Sequence, residues 1–471
     1  MKYINYIIIG SLISLIASCE PEFENFEGST GTANFSKYVA VGNSLTAGFA
    51  DGALYREAQL VSYPNLLSQQ FEKAGSENLF TIPLMPEGVG TGFSDAGLPI
   101  SRLVLAPTVD CKMETSLGPV RVDPNGGDIS ILSPANYLTD EAPFNNMGVP
   151  GAKIIHIPLT SYGDPSGILA GTANPYYARM ATAPGSSSIL GDAVSVEATF
   201  FSTWIGNNDV LSYCIAGGEG EVNGVGSDDM TPVSVFESTI KSILDSMESN
   251  GAEGLVANIP PITSIPFFTT VPAQGLPITS QAQVDALNAG YAQYNTGAGM
   301  AGLPGISFSI GANFFVIEDD SPTYTNLGGF RQITADELVL LTVPQDSIKC
   351  AGWGSQKPIP KEFILDAEEI SNASNRIGDF NTILKSEADN RNLAFADMFT
   401  LMQTITKGIS YDGATVSSAF VSGGGFSLDG IHLTGKGNAI VANAFIEAIN
   451  TKYNATIPLI NVNEYSGVQF P

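Results

Sequence analysis

Positive charge is scarce in this sequence. Its 471 residues include 20 Lys and Arg against 47 Asp and Glu, which gives a formal net charge of −27 at pH 7. Nucleic-acid binding depends on clustered cations that neutralise phosphates, so the composition argues against a nucleic-acid partner. The same acidic surface is repelled by anionic lipid headgroups, and electrostatics alone would not hold it at a membrane.

Cysteine is also rare, with four residues in the chain and no CxxC pair. Thiolate zinc sites use closely spaced cysteines, so the sequence does not predict one. Three of the four, Cys111, Cys214 and Cys350, lie far from the N-terminus. In an oxidising compartment they allow one disulfide and leave one thiol over, and all three pairings stay open.

The first hydrophobic run, residues 4–16, is too short to cross a membrane as a helix, which takes about 20 apolar residues. A short run of this kind after Lys2 is typical of a secretory signal. It is followed by Ala17, Ser18 and Cys19, which resemble the lipobox of bacterial lipoproteins. The resemblance implies cleavage before Cys19 and acylation of that residue as a membrane anchor. The alternative is an ordinary signal peptide with a chance cysteine.

The composition indicates a folded chain with long loops. Hydrophobic residues make up 44% of the sequence and charged residues 14%, unlike the balance of disordered chains. The 50 Gly and 28 Pro favour one domain with insertions over several domains.

We expect a signal peptide at residues 1–18, an acidic and Gly/Ser/Thr-rich tether at 19–34, a domain at 35–454 and a tail at 455–471. The insertions are expected at about 76–140, 210–232 and 262–360.

Short apolar runs alternate with amphipathic stretches along the domain. Strands are predicted at residues 37–41, 198–205, 255–259 and 393–397. Helices are predicted at residues 63–74, 235–247 and 362–390, and from an N-cap at Thr434 to about residue 450. This alternation predicts an α/β fold with three layers around a doubly wound, mostly parallel sheet. Ligands of such sheets bind at the carboxyl ends of the strands.

Three glycine-containing turns stand at or near predicted strand ends. The sequence VGNSL at residues 41–45 places Ser44 between a strand and a helix, where its hydroxyl is exposed at the sheet edge. The sequence NMGVPGA at 146–152 indicates a tight turn whose backbone approaches a neighbour closely. In GNND at 206–209, the Asn208 amide is placed to act as a donor. Each motif alone is equally typical of an ordinary turn.

Histidine occurs only twice, so a general base of this type has two candidates, His156 and His432. His432 follows Asp429 by three residues in the sequence DGIHLT. That spacing lets the carboxylate bond one ring nitrogen and leaves the other as a proton acceptor. His156 has no acidic residue nearby in the sequence and is predicted to be structural.

In this order the four motifs resemble those of the SGNH, or GDSL-like, hydrolases, and the resemblance covers about residues 36–450. It implies an SGNH-hydrolase/flavodoxin-like fold and ester hydrolysis without metal or other cofactor. By this resemblance Ser44 is the nucleophile, His432 the general base and acid, and Asp429 the group that orients the imidazole. Serine needs such a base because its hydroxyl is a poor nucleophile until the proton is removed.

The resemblance also implies an oxyanion hole, made of the backbone N–H groups of Ser44 and Gly151 and the side-chain amide of Asn208. Gly148 is the other glycine of the second motif, and the later Gly151 is favoured. The sequence departs from the family at Asn43, where an aspartate is usual. Asparagine keeps a carbonyl acceptor at that position but not the charge.

These observations lead to the expectation of a lipid-anchored serine esterase of the bacterial cell envelope, held at the outer membrane on its periplasmic or surface face. The expected substrate is a small-molecule ester, either an acetylated carbohydrate or a lipid acyl ester. The alternative is a catalytically silent scaffold that uses its long loops for binding or assembly. Acidic turns at 123–128 and 318–320 lack EF-hand spacing and are predicted to be solvated loops rather than calcium sites.

Overall fold

A computed structural model of the protein describes residues 28–470, with the exception of residues 78, 95 and 412. The predicted signal peptide, Cys19 and the tether as far as residue 27 lie outside the described residues. The centre of the molecule is a five-stranded parallel sheet with the spatial order β2-β1-β3-β4-β5. This is the flavodoxin-like order, so the predicted fold class is confirmed. The strands are β1 (Tyr38–Gly42), β2 (Asn146–Gly148), β3 (Phe200–Trp204), β4 (Glu253–Ala257) and β5 (Ala394–Ala396).

Helices cover both faces of the sheet. On one face α2 packs against α7, and on the other α5 packs against α3 and α4. The main helices are α1 (Ser44–Ala47), α2 (Tyr63–Lys73), α3 (Asn208–Ile215), α4 (Val233–Met247), α5 (Ala367–Asn390), α6 (Met398–Lys407) and α7 (Gly435–Tyr453). Shorter helices span Arg56–Leu60, Pro175–Met180, Ile189–Ser195, Pro266–Thr269, Gln281–Gly290, Ala292–Met300, Pro322–Thr325 and Gln345–Cys350.

The strands are buried because their residues are apolar on both faces. Every residue of β1 and of β3 is buried, as expected for a parallel sheet that helices cover on both sides. On one side, the rings of Phe236 and Phe380 stack with centroids 3.8 Å apart and join α4 to α5. These contacts fix the sheet that carries the loops at its carboxyl edge.

The start of α5 corrects the prediction of a helix over residues 362–390. The helix begins at Ala367 because Asp366 and Glu369 form a reciprocal capping box. Each side chain accepts a hydrogen bond from the backbone N–H of the other. The predicted N-cap at Thr434 is confirmed, since its hydroxyl accepts from the N–H of Gly437 at 3.1 Å.

The sequence 146–152 is only partly the predicted turn. Its first three residues form β2, an edge strand that pairs in parallel with β1. The predicted close approach is present at Gly148, where a Cβ atom would lie 2.2 Å from the backbone nitrogen of Ala47. Glycine is therefore required for α1 to pack on β2. The turn proper follows the strand.

The insertions contain secondary structure of their own. The first contains an antiparallel hairpin, Leu103–Val109 with Thr115–Arg121. Near its tip, Cys111 is bonded to Cys350 in the third insertion, and Cys214 is a buried free thiol. The third insertion has a separate hydrophobic core between residues 276 and 364. The second was predicted as a long connection from residue 210, but α3 occupies its start because its apolar side chains, including Val210 and Tyr213, are buried.

Further short antiparallel pairs join neighbouring segments of the loops and insertions. They are Gly92–Phe93 with Pro99–Ile100, Leu276–Ile278 with Gly311–Asn313, Val316–Glu318 with Phe330–Gln332, Leu338–Val339 with Ile364–Leu365, and Ile409–Tyr411 with Ala414–Val416. Within the described part of the chain, no helix has both the length and the apolar character needed to span a bilayer.

Both ends of the described chain pack on the domain. Thr32 donates its backbone N–H to the carbonyl of Tyr453 at the end of α7. In the predicted tail, Ile460 exchanges two hydrogen bonds with the side chain of Asn443. Ile457 does the same with Asn450. The segment as far as residue 462 is therefore fastened along α7.

Candidate active site

Ser44 is the first residue of α1, and one residue separates it from the end of β1. The preceding residue, Asn43, fixes this turn with both ends of its amide. Its carbonyl oxygen accepts from the N–H of Leu45 at 3.0 Å, and its NH₂ group donates to Oδ1 of Asn207 at 3.3 Å. The departure from aspartate at this position thus adds a donor that links the turn after β1 to the turn after β3.

The side chains of Ser44, Asp429 and His432 come from opposite ends of the chain and are in contact. The hydroxyl of Ser44 lies 2.9 Å from Nε2 of His432, although 388 residues separate them in sequence. Nδ1 of His432 lies 2.9 Å from Oδ2 of Asp429. Both distances are those of hydrogen bonds, and the three groups form one line of proton-transfer contacts. Ser44, Asp429 and His432, the three residues predicted for the triad, are therefore in contact.

The carboxylate of Asp429 is held ionised by its surroundings. Burial raises its pKa, but the His432 ring, together with the N–H groups of His432 and Ile431, outweighs burial and holds the pKa well below its usual range. The turn itself depends on Gly430, whose φ is +73°. A Cβ there would also lie 3.1 Å from the backbone nitrogen of Phe267, so no larger residue fits without displacement.

A second set of contacts reaches Asp429 from the segment after α1. The N–H of Gly52 donates to Oδ2 of Asp429 at 2.8 Å, and the hydroxyl of Ser427 donates to Oδ1 at 3.0 Å. Asp51 binds the same loop, because its N–H donates to the hydroxyl of Ser427 and Oδ1 accepts from the N–H of Leu428, both at 2.9 Å. Sequence reasoning missed these residues. The Asp51-Gly52 pair is typical of a turn, but a local pattern does not identify a partner some 377 residues away.

Phe49 is a further neighbour that the motifs did not indicate. Its ring centroid lies 4.7 Å from that of His432. The ring packs against the imidazole and limits its rotation, so that Nε2 stays directed at Ser44. Phe49 follows the end of α1, and its N–H donates to the carbonyl of Ser44.

Ser44, His432 and Asn208 line one pocket. One hydrogen of the Asn208 amide is used, since Nδ2 donates to the carbonyl of Ala152 at 3.0 Å, and this bond orients the second hydrogen. Gly151 lies on the loop after β2, outside the lining of the pocket. Among the described residues, no acceptor is found for the backbone N–H of Ser44 or of Gly151.

Comparison with known proteins identifies the family. The model of the family described as GDSL-like Lipase/Acylhydrolase matches residues 135–445. The chain belongs to this family. It is a hydrolase that acts on ester bonds. The matched region contains Gly151, Asn208, Asp429 and His432, and Ser44 precedes it. No curated protein matches the chain.

In this GDSL-like hydrolase a buried aspartate anchors the loop that carries Gly151. Asp209 accepts from the hydroxyl of Thr231 at 2.6 Å through Oδ1 and from the N–H of Ile154 at 2.9 Å through Oδ2. Burial raises the pKa of Asp209 to about 6, against the effect of these hydrogen bonds and of Lys153. The residue ties the start of α3 to the 151–154 loop, and so fixes Asn208 relative to Gly151.

The second histidine of the hydrolase lies apart from the Ser44 pocket. Nδ1 of His156 accepts from the N–H of Lys153 at 3.0 Å, and its ring stacks on Tyr162 with centroids 4.1 Å apart. Burial, together with the charge of Lys153, lowers the pKa of His156 to about 4. These contacts agree with the structural role predicted for His156.

Neither of the acidic turns at 123–128 and 318–320 lines the pocket that contains Ser44. In the first, Asp123 accepts from the backbone and side chain of Asn125, and Asp128 caps a short turn. Over the described residues, no group of three or more His, Cys, Asp or Glu side chains is arranged to hold a metal ion.

Proposed function

We propose that the protein is a serine esterase in which Ser44 is the nucleophile, His432 the general base and acid, and Asp429 the group that orients the imidazole. The supporting observation is the pair of 2.9 Å contacts that His432 makes, one to Ser44 and one to Asp429. An ionised Asp429 favours the tautomer with its proton on Nδ1, which leaves Nε2 free to accept the serine proton.

The reaction proceeds in two halves. The Ser44 oxygen forms a bond to the ester carbonyl carbon while its proton passes to Nε2 of His432. Collapse of the tetrahedral intermediate breaks the bond to the alcohol oxygen, which takes the proton from Nε2 and leaves as the alcohol. Water then attacks the acyl-serine and gives a proton to Nε2. Return of that proton to the Ser44 oxygen releases the carboxylic acid and restores the enzyme.

The negative oxygen of each tetrahedral intermediate needs fixed donors. We assign this role to the backbone N–H groups of Ser44 and Gly151 and to the Asn208 amide. The assignment is supported by the two backbone N–H groups without acceptors and by the bond to Ala152 that orients Asn208. Donors already in place need no reorganisation when charge develops.

The same proposal extends to the location and substrate. Cys19, after its small neighbours, is proposed as the acylated anchor that holds the enzyme at the outer membrane of the cell envelope. Acetylated carbohydrate and lipid acyl esters are the two substrate classes proposed for an enzyme in that place. They differ in the acyl group that the enzyme must hold beside Ser44.

The test is hydrolysis of p-nitrophenyl esters combined with labelling by a fluorophosphonate probe. We expect Ser44→Ala and His432→Ala to lower kcat by about 10⁴-fold or more with the fold intact by circular dichroism. Asn208→Ala should lower kcat by about 10²–10³-fold because one oxyanion donor is lost.

Labelling of Ser44 reports activation of the serine without knowledge of the natural substrate. His156→Ala is the matched control for His432→Ala, and it should keep both labelling and turnover. A wild-type protein that hydrolyses no ester in a broad panel and takes up no probe would identify a silent scaffold instead.

A further inference from the structure

The pocket beside Ser44 is almost entirely apolar beyond its mouth. Polar side chains are found only among Asn43, Ser44, Asn207, Asn208 and His432, and every other lining residue is hydrophobic. No Lys, Arg, Asp or Glu contributes to the lining. The space amounts to about 670 Å³ when the open mouth and the solvent in it are included.

One wall of the pocket is a single face of α6. Met398, Leu401, Met402 and Ile405 all line it, and their spacing of three and four residues places them on one side of the helix. The intervening Gln403 is exposed. The lining also includes Ile262 and Val441, both buried. Met398, Met402 and Ile405 pack in the main hydrophobic core, and the same helix face borders the space beside Ser44.

An apolar wall of this kind favours binding of a hydrocarbon chain over binding of a sugar. Each methylene that leaves water for an apolar pocket adds about fourfold in affinity. A sugar hydroxyl in the same place finds no partner on these side chains, and burial without a hydrogen bond is unfavourable. Methionine side chains at positions 398 and 402 are flexible, so they can close around a bound hydrocarbon chain.

The two-step reaction indicates which half of the ester the pocket receives. The acyl group stays bonded to the Ser44 oxygen until water arrives, whereas the alcohol must leave after the first step. Met398 and Ile262, which line the pocket, are buried. An alcohol chain held among them would have to leave this buried surface in every turnover before water attacks the acyl-enzyme, whereas an acyl chain can remain there until hydrolysis.

We infer that this pocket holds the hydrocarbon chain of an aliphatic acyl group, and that the face of α6 formed by Met398, Leu401, Met402 and Ile405 selects its length. The inference rests on the proposed role of Ser44. It favours lipid acyl esters over acetylated carbohydrate as the substrate class.

The first experiment compares the wild-type enzyme on p-nitrophenyl acetate, butyrate, octanoate and laurate. We expect kcat/KM to rise by about 15-fold from acetate to butyrate, because two methylenes become buried, and to peak at a longer chain. Ethyl octanoate should also be preferred to its isomer octyl acetate, which carries the chain in the alcohol.

The second experiment changes the wall. Met402→Phe narrows the pocket and should lower the ratio of kcat/KM for octanoate to that for acetate by about tenfold or more. Gln403→Phe adds the same ring to the exposed side of α6 and should leave that ratio unchanged. Met402→Ala enlarges the pocket and should move the preferred chain length upward, which gives a second test if the larger side chain disturbs folding.

The outcomes separate this inference from the proposed function. Acetate as the best substrate, with a ratio that Met402→Phe does not change, overturns the acyl pocket while esterase activity stands. Preference for octyl acetate over the octanoate ester overturns the assignment of the acyl half. Absence of both turnover and fluorophosphonate labelling overturns the role of Ser44 itself.

Discussion

Asp51 holds the loop that carries Asp429, although it touches neither Ser44 nor His432 in the hydrogen-bond network. Its carboxylate accepts from the N–H of Leu428 and from the hydroxyl of Tyr55 at 2.7 Å. Its φ of 53° is unusual for a residue with a side chain. Burial raises the pKa of Asp51, and the hydrogen bonds from Leu428 and Tyr55 counteract the rise. A strained, half-buried carboxylate beside the proposed triad is typical of a residue that fixes geometry.

We therefore predict that Asp51→Ala lowers kcat for p-nitrophenyl acetate by up to about 100-fold with little change in KM, because the imidazole loses its exact placement. Asp51→Asn keeps an oxygen acceptor for the N–H of Leu428 and should recover part of the rate. Steady-state kinetics of both variants measure kcat and KM, and melting curves check that each variant is folded. Full activity in a folded Asp51→Ala protein would contradict the positioning role.

At the scale of elements, Asp209 joins α3 to the loop after β2. Its pKa in the folded protein is about 6, above the ordinary value of 3.8, because the carboxyl group is buried. The folded state therefore binds more protons than the unfolded state between these two pH values. The free energy of unfolding should fall as the pH rises through that window, by about 2 kcal/mol for this group.

Asp209→Asn removes this titration. We expect the wild-type protein to lose about 2 kcal/mol more stability than the variant when the pH is raised from 3.8 to 6. Urea unfolding at the two ends of the window measures the difference. Thr231→Val is the control, since it deletes a partner of Asp209 but keeps the carboxyl group. Equal losses in wild type and Asp209→Asn would show that Asp209 titrates normally in the folded protein.

The sequence predicted the elements whose pattern is local, and it missed those defined by distant partners. The strands at β1, β3, β4 and β5 could be recognised because continuous apolar runs suffice to mark them. β2 has three residues and a glycine, so only pairing with β1 defines it. The pattern of α6 was present in the sequence, but the open space that its apolar face lines could not be seen.

The candidate site follows the same rule. Ser44, Asp429 and His432 stand in short motifs, and the spacing of Asp429 and His432 already indicated their contact. Asp51 and Phe49 act through neighbours at the other end of the chain, and no local pattern names those neighbours. The pairing of Cys111 with Cys350, which spans 239 residues, was open for the same reason.

At the scale of the whole molecule, the acidic surface bears on how the proposed anchor works. A net charge of −27 gives no attraction to anionic headgroups, so membrane attachment should depend on the acylated Cys19 alone. We predict that Cys19→Ser moves the protein from the membrane fraction to the soluble fraction. Cys214→Ser also removes one thiol and should leave the protein at the membrane.

Mass spectrometry of the purified membrane form should find acyl chains on Cys19. An unmodified N-terminus elsewhere, or a Cys19→Ser protein that still sediments with membranes, would argue against lipid attachment at that residue.

The distance of 388 residues between Ser44 and His432 has a consequence for synthesis. A ribosome that has made nine tenths of this polypeptide has produced the proposed nucleophile but not its proposed base. In the proposed mechanism the nascent chain should therefore be inert toward esters, and hydrolysis should require the last tenth of the polypeptide.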